Sequence, residues 1–285
     1  MNCNPIWFLR GLDSRRLRLG IDLKNLNPPF LIHSDVFTTM NFIKGKLNQY
    51  RNAPDSINKL HLEFLYSLLD EKNLIFPAFN YDFPKTKIFN LRDTPSQVGT
   101  LTNYVLSRGD FLRSETPFFS FLTKSKFMPL DSMTPFLKGS VFDYLYDCDG
   151  SILFYGTDIS SCTYLHYVES KYGPPYRYDK VFNGKIIKNN TDDIDISVKF
   201  HVRPLGLDLD YNWGFLFGIL RENNVIVDLG RNFFGIKVRD ISNIWGDVIK
   251  EAPTKVLSKE CANEVQNKLD TIGRRFLISD FEGEE

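Results

Sequence analysis

Three short apolar runs limit this chain's fold more than any other feature: Phe30-Leu31-Ile32, Leu74-Ile75-Phe76-Pro77 and residues 151–156. Each is too short for a typical helix, rich in aliphatic or aromatic side chains, and followed by polar, proline or glycine residues, which predicts buried strands. Helical patterns separate them, as in residues 58–70. Strands interleaved with helices predict an α/β fold with a single mixed sheet flanked by helices.

Residues 176–205 carry a different pattern, in which Ile194, Ile196, Val198 and Phe200 alternate with polar residues. Strict alternation is typical of a half-buried strand, so this segment is predicted to be an antiparallel β insertion. Residues 1–29 are expected to form a helical lead-in that stops at Pro28-Pro29. No linker or internal repeat divides the chain, so residues 1–285 are predicted to form one domain.

Further elements are predicted from local signals. Thr94-Pro95-Ser96 has the pattern of a helix start, with Thr94 as the N-cap and proline at the first helical position. Helices are also expected at 139–147, directly after the loop 157–161, around 212–221 and at the C-terminus. A short strand is expected at 225–227.

Composition excludes some classes of function. The chain has 35 basic and 35 acidic residues, a balance that argues against a nucleic-acid-binding face. Cys3, Cys148, Cys162 and Cys261 show no paired or zinc-type spacing, and free thiols in a reducing compartment are predicted. No signal peptide and no membrane-spanning run are found, so a cytoplasmic protein without a membrane partner is expected. The oligomeric state is open, and a homo-oligomer is one alternative.

The stretch Thr163–Glu169 carries the chemistry, because positions i and i+3 of a helix share one face and bring His166 to Glu169. A histidine held by a carboxylate can act as a general base near neutral pH. A surface pair is the plain alternative. Cys162, four residues before His166, raises a Cys-His nucleophile as a second alternative. A metal site ranks last, since no other histidine stands at supporting spacing.

Other segments are ambiguous. His33-Ser34-Asp35 follows a predicted strand and is either a helix cap or a ligand-facing loop, and Thr94–Gly99 has the same two interpretations. Neither of the common glycine-rich phosphate motifs is present, which argues against a nucleotide-binding Rossmann or P-loop enzyme. An acidic set is either a solvated edge or a cluster that attracts an amine; it comprises Asp192, Asp193, Asp195, Asp208 and Asp210.

Taken together, the segments resemble the aminoglycoside 3-N-acetyltransferase family, also called the antibiotic N-acetyltransferase family, from about residue 30 to 245. The motifs that carry this resemblance are Leu31–Ser34, Phe76–Phe79, Thr94–Leu101, Arg113–Ser120, residues 149–156, Thr163–Glu169 and Pro175–Tyr178. The chain departs from the family pattern at Thr116-Pro117, where a His-Pro pair is usual. It also departs at residues 38–42 and 230–232.

The resemblance implies an α/β fold, acetyl-coenzyme A as donor, and the amine of an amino sugar or aminoglycoside as acceptor. It implies that His166 is the general base, that Glu169 orients it, and that Thr163 steadies the oxyanion. It places Ser34, Thr94, Ser96 and Ser120 on the coenzyme A side, and Asp210 and Tyr81 on the acceptor side. Because the net charge is zero, a mono-amine sugar such as a surface-polysaccharide precursor is favoured over a polycationic antibiotic. A retired homologue that only binds a ligand is the alternative from another class.

Overall fold

The computed structural model describes residues 21–47, 55–188 and 193–283. Its strands and helices are labelled here in chain order. The strands are β1 (Phe30–Ser34), β2 (Leu74–Pro77), β3 (Ile88–Asn90), β4 (Leu112–Arg113), β5 (Phe121–Thr123), β6 (Ser151–Tyr155), β7 (Tyr178–Ile187), β8 (Asp193–Val202), β9 (Val227–Asp228) and β10 (Phe233–Lys237). The helices are α1 (Ser56–Leu68), α2 (Phe83–Thr86), α3 (Thr100–Ser107), α4 (Val141–Asp147), α5 (Tyr164–Tyr172), α6 (Trp213–Glu222), α7 (Val238–Glu251) and α8 (Lys259–Ile272).

The main sheet has seven strands in the order β4-β5-β2-β1-β6-β10-β9. Its centre is parallel, because β1 pairs in parallel with both β2 and β6, while β5 and β10 join antiparallel on either side. In β1 and β6 the paired residues Ile32 and Leu153 are almost fully buried. Helices flank this sheet, and the predicted mixed α/β fold is confirmed.

Residues 178–202 form a long antiparallel hairpin, and β3 adds to it in parallel, so that a second sheet has the order β3-β7-β8. Ile196, Val198 and Phe200 are buried, whereas the residues between them are exposed. The predicted β insertion is therefore confirmed. Its apolar face packs into the core that contains α5.

The central strand β6 separates two apolar cores. Ile152 and Phe154 belong to one core, and Leu153 and Tyr155 belong to the other. This division follows from the alternation of side chains along a strand. The first core also contains α5 and the aromatic residues of the β7–β8 hairpin, so the site described below lies on the Phe154 side of the sheet.

The helix start predicted at Thr94 is wrong. Thr94 does not start a helix: residues 94–99 are irregular, and α3 begins at Thr100 after Gly99, which has a φ of 74°. The Thr94 hydroxyl instead accepts a hydrogen bond from the Asn90 amide (2.9 Å), and Asn103 bonds back to both backbone groups of Ser96. These side-chain contacts compete with helix formation.

The helical lead-in is absent from residues 21–29, where the backbone has only a turn and bends, while residues 1–20 lie outside the described part. The terminal helix is two helices, α7 and α8, and β10 was not predicted. Cys148 is disulfide-bonded, so the prediction of free thiols is wrong for it. Cys162 and Cys261 are free and buried, and Cys3 lies outside the described residues.

Among the described residues, no helix is long and apolar enough to cross a membrane.

Candidate active site

The loop from β6 to α5 carries the site and depends on a glycine at its start. Gly156 has a φ of 81°, and a Cβ there would lie 2.2 Å from the Asp35 carbonyl oxygen. Only glycine fits this close approach in the left-handed region. The chain then forms a single turn at Ile159–Ser161 and enters α5 with Thr163 at the N-cap. This path brings the start of α5 beside the carboxyl ends of β1 and β6.

His166 and Glu169 meet on one face of α5, as predicted. The Nδ1 atom of His166 lies 3.1 Å from Oε2 of Glu169. The His166 side chain is 27% exposed, whereas that of Glu169 is fully buried. The pair is therefore not a surface ion pair, since its carboxylate is held in the interior while its imidazole reaches solvent.

Glu169 is held by three further side chains. The Tyr176 hydroxyl donates to Oε1 (3.0 Å), and the Tyr211 hydroxyl lies 3.0 and 2.9 Å from the two carboxylate oxygens. Arg177 Nε lies 2.9 Å from Oε2, but its N–H is not aligned with the oxygen, so this contact is an ion pair. Burial alone would raise the pKa of Glu169, but the Arg177 charge and the His166 hydrogen bond hold it well below its usual range. Glu169 is thus a fixed negative charge.

His166 is mainly neutral at physiological pH. Burial lowers the pKa of His166, its hydrogen bond to Glu169 opposes this effect, and the positive charge of Arg177 adds to the lowering. The ring lies among aromatic side chains, with centroids 5.7 Å from Phe136 and 6.4 Å from Phe119. The shortest contact of Nδ1 is with the Glu169 carboxylate, which favours the tautomer with hydrogen on Nδ1. In the described part of the chain Nε2 makes no hydrogen bond, and its lone pair is free to accept a proton.

A cavity of about 330 Å³ lies between the ends of the parallel strands and the start of α5. Its wall contains hydroxyl, aromatic and small side chains and no residue with a formal charge at neutral pH. The lining residues are His33, Ser34, Pro77, Phe79, Tyr81, Val98, Gly99, Thr102, Thr157, Ser160, Ser161 and Thr163. Phe119 links this wall to His166, since its ring is 4.9 Å from that of Phe79. His166 itself does not line the cavity; the Phe119 ring packs between it and the wall residue Phe79.

Three of the predicted ligand-facing residues, Ser34, Tyr81 and Thr163, line this cavity. The Thr163 hydroxyl is buried and has no hydrogen-bond partner among the described residues. Ser96 is buried beside the cavity, and its hydroxyl bonds to both backbone groups of Val98. These positions leave Ser34, Tyr81 and Thr163 available to a ligand, while the hydroxyl of Ser96 serves the local turn.

Thr94 and Ser120 are not part of the cavity wall. The Ser120 hydroxyl donates to the Ala78 carbonyl (2.6 Å) and accepts from Arg113 Nε (3.0 Å). The same guanidinium donates to the Thr94 carbonyl (2.6 Å) and to the Ala78 carbonyl (3.1 Å). Arg113 thereby ties the end of β2 to the loop that carries Thr94, and the observed contacts of Thr94 and Ser120 are within the scaffold.

The acidic residues do not gather at His166. Asp210 is exposed, and its carbonyl accepts a hydrogen bond from the amide of Ser258, just before α8. Asp208 pairs with Arg203 (2.6 Å), and Asp193 pairs with Lys185 (3.8 Å) at the far end of the hairpin. Asp192 lies outside the described residues.

The nucleophile alternative has little support. Cys162 is 1% exposed, and burial raises the pKa of its thiol to about 12, so the reactive thiolate is scarce at neutral pH. No group of three or more potential metal-ligating side chains occurs in residues 21–47, 55–188 and 193–283.

Sequence reasoning gave no role to Arg177, Tyr176 or Tyr211, which hold Glu169. Arg177 and Tyr176 lie in the motif Pro175–Tyr178, and that motif was the available signal. Tyr211 is 42 residues from Glu169, and no local pattern indicates their contact. The pattern at His33-Ser34-Asp35 indicates a cap or a loop and no separate role for His33, which the structure places in the cavity wall.

Comparisons with known proteins agree with this geometry. The sequence model of the family described as aminoglycoside 3-N-acetyltransferase matches residues 71–211, a segment that includes α5, the whole hairpin and Tyr211. None of the curated protein sequences searched matches the chain.

Solved structures match over most of their length. The aminoglycoside acetyltransferase AAC(3)-IVa apoenzyme is 18% identical, with a TM-score of 0.59 over 90% of this chain and 95% of that one. The binary complex of AAC-IIIb with CoASH is 13% identical, with a TM-score of 0.65 over 83% and 96%. The YokD protein from Bacillus subtilis is 16% identical, with a TM-score of 0.59 over 82% and 95%. At these identities the likeness establishes the fold, and together with the matched family segment it leads to one conclusion: the chain belongs to the aminoglycoside 3-N-acetyltransferase family.

Proposed function

We propose that this protein is an acetyl-coenzyme A-dependent N-acetyltransferase whose general base is His166. One observation carries the proposal: the buried carboxylate of Glu169 fixes a neutral imidazole whose Nε2 is unpaired among the described residues, on the helix whose N-cap, Thr163, lines an uncharged cavity. Family membership supplies the class of reaction. A structural relative, AAC-IIIb, has been solved with CoASH, which supports coenzyme A as the carrier of the acyl group.

The cavity residues fit the uncharged arm of such a donor. The wall offers aromatic surface from Phe79 and Tyr81 and hydroxyls from Ser34 and Thr163. A volume of about 330 Å³ accommodates a chain of this kind. The unpaired hydroxyl of Thr163 is a donor that a thioester carbonyl could use. When bound, acetyl-coenzyme A supplies an acetyl group activated as a thioester.

The chain's own residues then move a proton. Glu169 accepts the Nδ1–H of His166 and keeps the ring oriented, while Tyr211 and Arg177 keep Glu169 ionised. His166 Nε2 accepts the proton of the acceptor amine as the amine nitrogen bonds to the thioester carbon. Glu169 also stabilises the imidazolium that forms. No covalent intermediate with the protein is needed.

The acceptor that we propose is the single amine of an amino sugar, such as a precursor of a surface polysaccharide. The cavity wall holds no carboxylate, and Asp179 and Asp208, acids of the adjoining hairpin region, are already paired with Lys199 and Arg203. Arg203 is also close enough for its charge to lower the pKa of His166. A polycation would therefore meet positive charge and few free acids near Nε2.

Aminoglycoside acetylation is the second candidate, because relatives have been solved in complex with a gentamicin and with apramycin. The two candidates differ in the charge of the acceptor. Both reactions need the same base, so changing His166 would not distinguish them. The acceptors that the enzyme prefers would.

A thiol-release assay with acetyl-coenzyme A tests the proposal against a panel of amino sugars and aminoglycosides. His166→Ala should lower kcat/KM by roughly 100-fold or more, the usual contribution of a general base. His61→Ala removes another histidine, on the opposite side of the sheet, and serves as the matched control. Turnover that survives His166→Ala would contradict the base assignment, and turnover of aminoglycosides alone would reject the amino-sugar acceptor. Failure to bind coenzyme A in calorimetry would favour a retired homologue.

A further inference from the structure

His33 is a buried histidine in the cavity wall to which the mechanism above gives no task. It lies next to last in β1, paired in register with Phe154, and it is 5% exposed. Its ring stacks on Phe154 with a centroid distance of 5.7 Å and an interplanar angle of 22°. Packing against the central strand thus fixes the plane of the ring beside the cavity.

One polar atom of the His33 side chain lacks a hydrogen-bond partner among the described residues. Its Nε2 atom is buried and makes no hydrogen bond with any described residue. Leaving a buried donor or acceptor unpaired costs about 1–3 kcal/mol, so such atoms in a native fold call for an explanation. The Thr163 hydroxyl is in the same condition and belongs to the same cavity wall. Because both residues line one cavity, an atom of a ligand bound there is the candidate partner for the two groups.

The ionisation state of His33 limits what that atom can be. Burial lowers the pKa of His33 to about 4, so the ring is neutral at physiological pH and carries one N–H. A neutral imidazole can donate this hydrogen bond without placing a full charge near His166. The most suitable ligand atom for two neutral donors in one cavity wall is a carbonyl oxygen that gains negative charge during the reaction.

We propose that His33 and Thr163 together donate hydrogen bonds to the carbonyl oxygen of the acyl thioester, with His33 as the second donor of an oxyanion site. The inference rests on the proposed acyl transfer. As the amine nitrogen bonds to the carbonyl carbon, the π electron pair moves to this oxygen and the amine proton moves to His166 Nε2. When the pair returns to carbon, the C–S bond breaks and the proton passes from His166 to the sulfur. The two donors stabilise the oxygen between these steps.

Kinetics of three variants test the role of His33. His33→Phe keeps an aromatic ring for stacking on Phe154 but removes the donor, and it should lower kcat roughly 100-fold while the KM for acetyl-coenzyme A changes less than about threefold. His33→Gln restores an N–H donor and should recover part of kcat. His61→Phe is the matched control, since His61 is also buried, has an unpaired Nε2 and contacts Tyr155 of the other core. It should lower stability and leave the kcat of the folded protein unchanged.

Infrared spectroscopy supplies a readout that does not depend on turnover. With acetyl-coenzyme A labelled with ¹³C at the thioester carbonyl, the bound C=O stretch should lie at lower frequency in the wild type than in His33→Phe, because a hydrogen bond weakens the C=O bond. Equal frequencies in the two proteins, or an equal loss of kcat in His33→Gln and His33→Phe, would overturn the proposal.

Different results would reject the role of His33 and the proposed acyl transfer. If the wild type binds acetyl-coenzyme A with the lowered frequency but acetylates none of the amines offered, the acceptor proposal fails and the role of His33 stands. If the wild type does not bind acetyl-coenzyme A in calorimetry, the donor is wrong and both proposals fall. If neither binding nor turnover changes when the donor at position 33 is removed, only the role of His33 in the oxyanion site is rejected.

Discussion

Replacing Glu169 with glutamine tests the core of the site, because it removes a charge while nearly preserving shape. In the native site Oε2 accepts a hydrogen bond from His166 Nδ1 (3.1 Å) and forms an ion pair with Arg177 Nε (2.9 Å). A glutamine amide can place its oxygen in only one of the two carboxylate positions. The NH₂ group then takes the other position, which the phenols of Tyr176 and Tyr211 also approach.

Glu169→Gln should lower both the folding stability and the strength of the base. The Arg177 side chain, 6% exposed, keeps its charge without a buried counter-ion, and breaking a buried pair in this way costs roughly 3–5 kcal/mol of folding stability. The imidazole loses both its orienting acceptor and the hydrogen bond that raises its pKa. It becomes a weaker base, and an amide NH₂ facing Nδ1 would favour hydrogen on Nε2. We expect kcat/KM to fall roughly 10²- to 10⁴-fold.

The assay must separate catalysis from folding. Thermal unfolding and thiol release are measured side by side for Glu169→Gln, for the double variant Glu169→Gln/Arg177→Met, and for Glu264→Gln, an exposed glutamate on α8. The double variant should regain stability because it no longer buries an unpaired charge, but it should stay inactive. Glu264→Gln should match the wild type in both measurements.

Two results would contradict the role assigned to the Glu169 carboxylate. If folded Glu169→Gln keeps kcat/KM within about threefold of the wild type, the carboxylate neither orients nor strengthens the base. If the double variant recovers activity together with stability, Glu169 acts only by balancing Arg177.

Two further predictions concern pH and the buried thiol. Burial lowers the pKa of both His33 and His61 to about 4, so the unfolded chain binds protons that the folded one does not, and stability should fall by up to roughly 3 kcal/mol for each as pH drops from about 6.5 to 4. Urea unfolding across this range should show the loss, His61→Gln should reduce the slope, and stability independent of pH would contradict it. Cys162→Ala should keep kcat within about threefold, since burial raises the pKa of this thiol to about 12, and thiol release by the variant checks it. Inactivity of a folded Cys162→Ala would return the nucleophile to consideration.

The sequence predicted the parts of the fold that local periodicity determines. Strands β1, β2 and β6 are short apolar runs, and the hairpin strand β8 alternates strictly, so both kinds could be identified from residue spacing. The strand β10 was missed because Gly235 interrupts it. That glycine is required by packing, since a Cβ there would lie 2.5 Å from Leu26. Contacts of this kind do not appear in any local pattern.

In the site, too, contacts within one helix could be predicted from the sequence, whereas contacts between distant segments could not. His166 and Glu169 are three residues apart on one helix, and their contact follows from helix geometry. The residues at Thr94 have the usual pattern of a helix cap, but no helix forms there, because Asn90 and Asn103 make competing hydrogen bonds. The side chains that bind Glu169 come from the segment that leads into β7 and from the segment before α6. They meet at Glu169 only because of how the hairpin packs against α5.

The same convergence explains why a lowered pKa suits His166. Burial lowers the pKa of His166, and the charge of Arg177, which keeps Glu169 ionised, lowers it further, so the ring is a weaker base than a free imidazole but is mainly unprotonated at neutral pH. A weaker base is adequate here, because the amine proton becomes acidic once its nitrogen has begun to bond to the thioester carbon. A protonated ring, by contrast, could accept nothing. Arg177 and Glu169 shift the pKa of His166 in opposite directions, so removing the Arg177 charge should move the acid limb of the pH profile to higher pH, and removing the Glu169 carboxylate should move it to lower pH.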